Sequence, residues 1–303
     1  MSRKSLLKQS ATTLPGLESV IARAGGQSYA QEFAPALLTK IRVLEARGTY
    51  GALLKPILTA ANQADLRGRL LEVNLACQFE RAGISPEVAV KQAGTGDIDF
   101  QFSVGRHEVF LETKLLREDD ATRADINAQL QVSNTFSVAR SDDTKDIFRL
   151  QRDLIQKAST RKFSAHPKDR WVNLVGVDVS EIQLGAVDAG DCVLAAGGNP
   201  ALSNFDDFYR RPNVVGVFER PNSSSMTEEQ REWDAALDAL VESAPHPRDY
   251  IHGAVFLFRS KKETAALVYD LKSIVVWNKN LVSRSLAHEL EPAIHEIVPR
   301  AGK

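Results

Sequence analysis

Glu112 and Lys114 stand two positions apart in the run Glu108–Leu116, where Val109, Phe110, Leu111, Leu115 and Leu116 are all apolar. Side chains alternate across a β-strand, so the carboxylate and the ammonium project from one face. Opposite charges in a largely desolvated strand must each find a partner, or find one another. A structural ion pair and a reaction centre both satisfy that demand at this point.

Just upstream lies Gly96-Asp-Ile-Asp-Phe100, in which Asp97 and Asp99 share one face while Ile98 and Phe100 take the other. Gly105-Arg106 turns this segment directly into the Glu112 strand, which predicts a hairpin. Asp99 and Glu112 can then approach across the two strands. Carboxylates that close repel unless a cation sits between them. A divalent metal with hard oxygen ligands, Mg²⁺ or Mn²⁺, is the expected cofactor. Glu72 adds a further acid group on a predicted helix, with Leu75, Ala76 and Phe79 three, four and seven positions beyond it. It therefore points along the apolar side, where a carboxylate must be paired, hydrated or close to a metal.

A helix Glu, an Asp on a strand and Glu-x-Lys on an apolar strand about a dozen residues later form an ordered set. In Arg69–Phe79, Gly96–Phe100 and Phe110-Leu-Glu-Thr-Lys114, that set resembles the PD-(D/E)xK nuclease superfamily. The resemblance spans residues 65–219. No proline precedes the aspartate, and Asp97 stays open as an alternative to Asp99. The resemblance implies Glu72, Asp99, Glu112 and Lys114 as catalytic residues, and a metal held by Asp99, Glu112 and the Thr113 carbonyl. It implies Gln151 on the following helix as a further member. The implied activity is phosphodiester hydrolysis, as a DNA endonuclease of a restriction, defence or repair system. The alternative is a catalytically inactive nuclease fold that binds nucleic acid or serves as an assembly subunit. A second copy of the chain, or other defence or repair proteins, are the further partners expected.

The elements that must position these residues follow from periodicity. Leu14–Ala24 and Glu32–Ala46 carry apolar residues at helical spacing, and residues 1–64 read as an N-terminal helical extension. Residues 65–303 read as the nuclease-like domain. It begins with a helix over Asp65–Ala82 that Gly83 stops, then strands over Glu87–Gln92, Asp97–Val104 and Glu108–Leu116. A helix over Thr144–Phe163 is followed by strands over Arg170–Val179 and Asn213–Glu219, with a connection through Asp191–Arg211. A helix over Glu228–Ser243 and strands over Ala254–Phe258 and Ala266–Trp277 complete the pattern. The fold class is α/β (mixed α+β): a restriction-endonuclease-like central mixed sheet flanked by helices, with strand and helix additions at the C-terminal end.

Composition bounds the partners. The formal net charge of −1 gives no global field for nucleic acid, so any contact must be local. Arg149, Arg152, Lys157, Arg161, Lys162, Lys168 and Arg170 form the clearest basic stretch, with Arg149, Arg152, Lys157 and Arg161 readable as a nucleic-acid-binding surface or as a solvated helix face. Cys77 and Cys192 are far apart and exclude a disulfide scaffold, and the six histidines have no metal-ligand spacing. No phosphate-cradling Gly-Lys-Ser/Thr loop or nucleophile elbow occurs. Apolar runs are too short to span a bilayer, so no membrane partner and a cytoplasmic location are expected.

Overall fold

Apolar residues at alternate positions give two strands that fold onto each other, β2 (Ile98–Val104) and β3 (His107–Arg117), through a turn at Gly105 with φ +56°. That φ lies in the left-handed region that glycine enters at no steric cost. The computed structural model describes residues 16–23, 27–92, 95–117, 143–159, 161–182, 187–198, 213–241, 245–260 and 269–301, with short pieces between 124 and 132. The hairpin sits in a mixed sheet of six strands ordered β1-β2-β3-β4-β5-β6, completed by β1 (Glu87–Val90), β4 (Trp171–Glu181), β5 (Gly253–Arg259) and β6 (Leu271–Trp277). The centre is parallel, β3 to β4 to β5, and the flanks are antiparallel. Parallel central strands are covered on both faces, which explains why β3 and β4 are apolar nearly throughout.

The α-helices of four residues or more among the described residues are α1 (residues 16–23), α2 (Gln27–Arg47), α3 (Gly51–Leu54), α4 (Gln63–Arg81), α5 (Asp143–Lys157), α6 (Ala189–Gly197), α7 (Glu228–Asp238) and α8 (Arg284–Ile297). Two cores sandwich the sheet. Residues of α1, α2, α4 and α8 pack with Phe100, Phe102, Val109, Leu111 and Leu115 on one face. Residues of α5 and α6 pack with Phe110, Leu116, Val175 and Val177 on the other. The N-terminal helices therefore share a core with the sheet.

Helix α4 is the element that ties the site to the frame. Asn62 caps its start, accepting the Asp65 N–H at 2.9 Å. Near its end, Gln78 imitates a strand: its Nε2 donates to the Leu271 and Ile297 carbonyls at 3.0 and 3.2 Å, and its Oε1 accepts the Leu271 N–H at 2.9 Å.

Helix α7 ends at Asp238, five residues before the predicted Ser243. Three further expectations need correction. Residues 213–219 lie outside the sheet: the N–H groups of Val217 and Phe218 donate to the Ala195 and Ala196 carbonyls at 3.0 and 2.9 Å, closing the C-terminal end of α6. A short apolar run is buried either way, and periodicity alone does not separate the two cases. The connection expected through 191–211 instead begins with α6, which carries a capping box at Asp188 and Asp191. Third, α5 ends at Lys157, six residues short of the predicted Phe163, and the chain turns back through Ser159.

Gln78→Ala is expected to leave three buried backbone groups short of partners, at ~1–3 kcal/mol per group before relaxation. A urea melt should show the midpoint falling by the equivalent of about 3 kcal/mol with an unchanged m-value. A loss below about 0.5 kcal/mol would show that α4 does not depend on this lock.

Candidate functional site

The β2–β3 ladder pairs Phe100 with Leu111 and stops there. Beyond that point the Thr113 N–H and hydroxyl both donate to Asp99 Oδ2, each at 2.6 Å, so a carboxylate replaces the strand partner. A residue in an antiparallel ladder turns its N–H and C=O to the same neighbour, so the Thr113 carbonyl faces the same gap. Asp99 is half-buried there, whereas Asp97 is exposed. The two candidates are thus separated by position, and Asp99 is the one beside β3.

Glu112 follows the alternation of Phe110 and Leu116, towards α5, and is fully buried. Its Oε1 accepts hydrogen bonds from Lys157 Nζ at 2.6 Å and Lys162 Nζ at 2.5 Å. The early end of α5 makes this geometry. Lys157 closes the helix, the Lys162 and Phe163 N–H groups donate to the Ser159 carbonyl, and buried Phe163 anchors the turn. Gly96 N–H then donates to the Arg161 carbonyl at 3.0 Å, joining this turn to the residues just before Asp99. A Cβ at Gly96 would lie 2.9 Å from Lys162 Cγ, so glycine leaves the path for the lysine stem.

Glu72 reaches the same place from α4. Burial, then the charges of Asp99 and Glu112, push its carboxyl up to about 8, with Lys157 and Lys162 opposing. Burial and then Asp99 likewise raise Glu112 against the same lysines. Burial works against the Lys157 charge, but Glu112, Asp99 and Glu72 outweigh it and hold the ammonium above its usual range. Acid groups from a helix and two strands therefore sense one another and are held by two ammonium groups. Lys114 does not pair with Glu112. Its half-buried ammonium is pushed down by burial, opposed by Asp153 and helped by Lys157, Arg117 and Arg152. Among the described residues it makes no ion pair within 4.0 Å.

The donor set suits a hard divalent cation in kind. Asp99 accepts through Oδ2, and Glu112 Oε2 is buried with no hydrogen-bond partner among the described residues. Among those residues, however, no three His, Cys, Asp or Glu side chains are grouped closely enough to hold a metal ion. The ammonium groups of Lys157 and Lys162 take the position beside Glu112. None of the family models, curated proteins or solved structures compared with the chain matches it.

The expected basic surface divides. Arg161 is exposed, as is Arg152, which lies 3.9 Å from Asp153, and Arg149 is half-buried. Lys157 turns inward to Glu112, a correction to its reading as a nucleic-acid contact, because the buried carboxylate draws the last turn of α5 over it. Gln151 is also no member of the site. It is buried, with Nε2 donating to the Ala195 and Val215 carbonyls and Oε1 accepting from Trp233 Nε1. Lys162 is the site residue that sequence reasoning did not single out. Its only signal was a place in the basic stretch, since a lysine in a turn has no periodicity to follow. No helix among the described residues is long and apolar enough to cross a membrane.

Because the folded Glu72 carboxyl titrates far above its unfolded value of 4.5, the folded state holds a proton that the unfolded state releases. Stability therefore declines as pH rises from about 4.5 to about 8. In EDTA, Glu72→Gln is expected to melt several degrees above wild type at pH 9, with the gap closing by pH 5. The stabilisation at high pH is on the order of a few kcal/mol. A gap independent of pH would contradict this placement of Glu72.

Proposed function

We propose that the chain is a metal-dependent nuclease of the PD-(D/E)xK kind, hydrolysing phosphodiester bonds and most simply acting as a DNA endonuclease. The observation that supports this reading is the pair of strand carboxylates, Asp99 turned to Thr113 where the β2–β3 ladder opens and Glu112 buried beside it on β3, with Glu72 of α4 near enough to be shifted by both. Buried acid groups raise one another's pKa at a cost to the fold, an arrangement that recurs at sites built for chemistry.

Asp99 and Glu112, with the Thr113 carbonyl, would hold Mg²⁺ or Mn²⁺. When bound, that ion would lower the pKa of a water and offset charge on the phosphate. Glu72, whose carboxyl burial and the charges of Asp99 and Glu112 push up to about 8 in the metal-free protein, would help hold the ion from the α4 side. Lys114 makes no ion pair within 4.0 Å among the described residues, with Asp153 the acidic charge that acts on it, so its charge would be available to meet the charge that develops on the phosphate oxygens. Lys157 and Lys162 fix the Glu112 carboxylate. Arg152 and Arg161 remain exposed for sequence-independent contacts to the backbone.

One observation favours a second reading. Glu112 is already neutralised by two lysines, as it would be in an inactive nuclease fold that binds nucleic acid or assembles with other proteins. A cleavage assay separates the two. Incubated with plasmid, single-stranded DNA and RNA, the protein is expected to cut in Mg²⁺ or Mn²⁺ and not in EDTA. Lys114→Ala should lower the rate by about a hundredfold or more with little change in melting temperature, because Lys114 holds no buried partner. Intact substrates under all metal conditions would leave the inactive reading in place.

A further inference from the structure

We infer that Arg67 and Arg259 form an anion subsite for a phosphate group, at the carboxyl end of the central strands and apart from the acid cluster. Glu181, the last residue of β4, is buried, and its Oε1 accepts from Arg67 Nη1 at 3.1 Å and Arg259 Nη2 at 2.8 Å. Two guanidinium groups thus share one carboxylate oxygen. Each keeps a buried Nε–H that has no partner among the described residues. A buried donor left unpaired is costly, and here the same lack occurs on two adjacent forks.

A purely structural ion pair does not account for this arrangement. One carboxylate oxygen uses a single N–H from each arginine, whereas a guanidinium is shaped to give two parallel hydrogen bonds to an oxyanion. The side chains are partly exposed, at 27% and 25%, although the two Nε atoms themselves are buried, so a phosphate reaches them only by displacing Glu181. The Arg259 fork is held in place: its Cζ lies 4.1 Å from the centre of the Tyr269 ring, and its backbone N–H donates to Ser180 Oγ at 2.8 Å. The neighbouring carboxylate, Asp178, is occupied by the Ser180 N–H and the Tyr269 hydroxyl. Among the described residues an incoming phosphate competes with Glu181 for both arginines, and at Arg259 also with Tyr269 and the charge of Asp178.

The subsite lies along the same elements as the acid cluster. The β3–β4 register that sets Glu112 against Val175 sets Arg117 against Glu181. Five residues along a strand advance about 17 Å, and the five from Arg67 to Glu72 along α4 advance about 7.5 Å. One nucleic-acid strand carries a phosphate about every 3.4 Å of axis, so these offsets span about two to five nucleotides. Only the identification of the ligand as a backbone phosphate rests on the proposed nuclease function.

The test uses the full chain in EDTA and reads melting temperature against inorganic phosphate, with chloride at matched ionic strength as reference. Wild type is expected to gain a few degrees in phosphate, and Arg67→Gln and Arg259→Gln should each lose that gain whatever their starting stability. Glu181→Gln removes the internal competitor and should gain at least as much as wild type, which guards against a variant that fails to fold. No phosphate effect in wild type, one that persists in both arginine variants, or a smaller one in Glu181→Gln would overturn the subsite. A second arm titrates a labelled duplex at several salt concentrations. If the ligand is a backbone phosphate, each arginine variant lowers the slope of log K against log salt by about 0.9. An unchanged slope with the phosphate effect intact assigns the subsite to a free phosphate group, and absent cleavage then counts against the nuclease reading alone.

Discussion

A charged carboxylate sits at full burial in the middle of the sheet, and the arrangement around Glu112 follows from that. Removing an ion from water costs several kcal/mol even after relaxation, and only close partners offset it. Lys157 and Lys162 supply them at 2.6 and 2.5 Å. Stripping one partner from such a pair typically costs ~3–5 kcal/mol, so the lysines are bound to this position as firmly as the carboxylate. Their number exceeds what one carboxylate needs in isolation. Asp99 and Glu72 add negative charge nearby, and burial, then the charges of Asp99 and Glu112, still push the Glu72 carboxyl up against both lysines.

Local features that look unrelated serve this one requirement. Helix α5 stops at Lys157, the following turn folds back over Ser159, and Gly96 accepts the close approach of Lys162. The β2–β3 ladder opens just where Asp99 turns its carboxylate to Thr113. Helix α4 crosses the other face with Glu72, and its far end is locked to β6 and α8 through Gln78. The site is thus carried by regular elements on both sides of the sheet, which limits how far its side chains can drift.

Much of the fold was legible because it rests on periodicity. The helix bearing Glu72, the hairpin bearing Asp99 and Glu112, and the apolar central strands each follow from alternation or helical spacing in Leu66–Phe79 and Ile98–Leu116. Helix α8 was not read as an element although Leu286, Leu290, Ile294 and Ile297 keep helical spacing; Pro292 within it is the one residue that argues against a helix there. Residues 213–219 looked like a strand because burial, not pairing, selects their apolar side chains. In the candidate site, Glu72, Asp99 and Glu112 were readable from type and spacing, and the placement of Asp99 beside β3 needed only a hairpin. Where each lysine points was not readable. Lys157 has the same spacing as its solvent-facing neighbours, and Lys162 lies beyond the helix. Their direction depends on a contact some fifty residues away in sequence, between Glu112 and Lys162.

Binding of Mn²⁺ to the metal-free protein, followed by its electron paramagnetic resonance signal, tests most directly whether these carboxylates form one site. The account expects a single Mn²⁺ per chain, with the bound fraction lost in Asp99→Asn and in Glu112→Gln while both variants keep a cooperative melt. Binding that survives both substitutions, or no binding up to millimolar Mn²⁺, would contradict it.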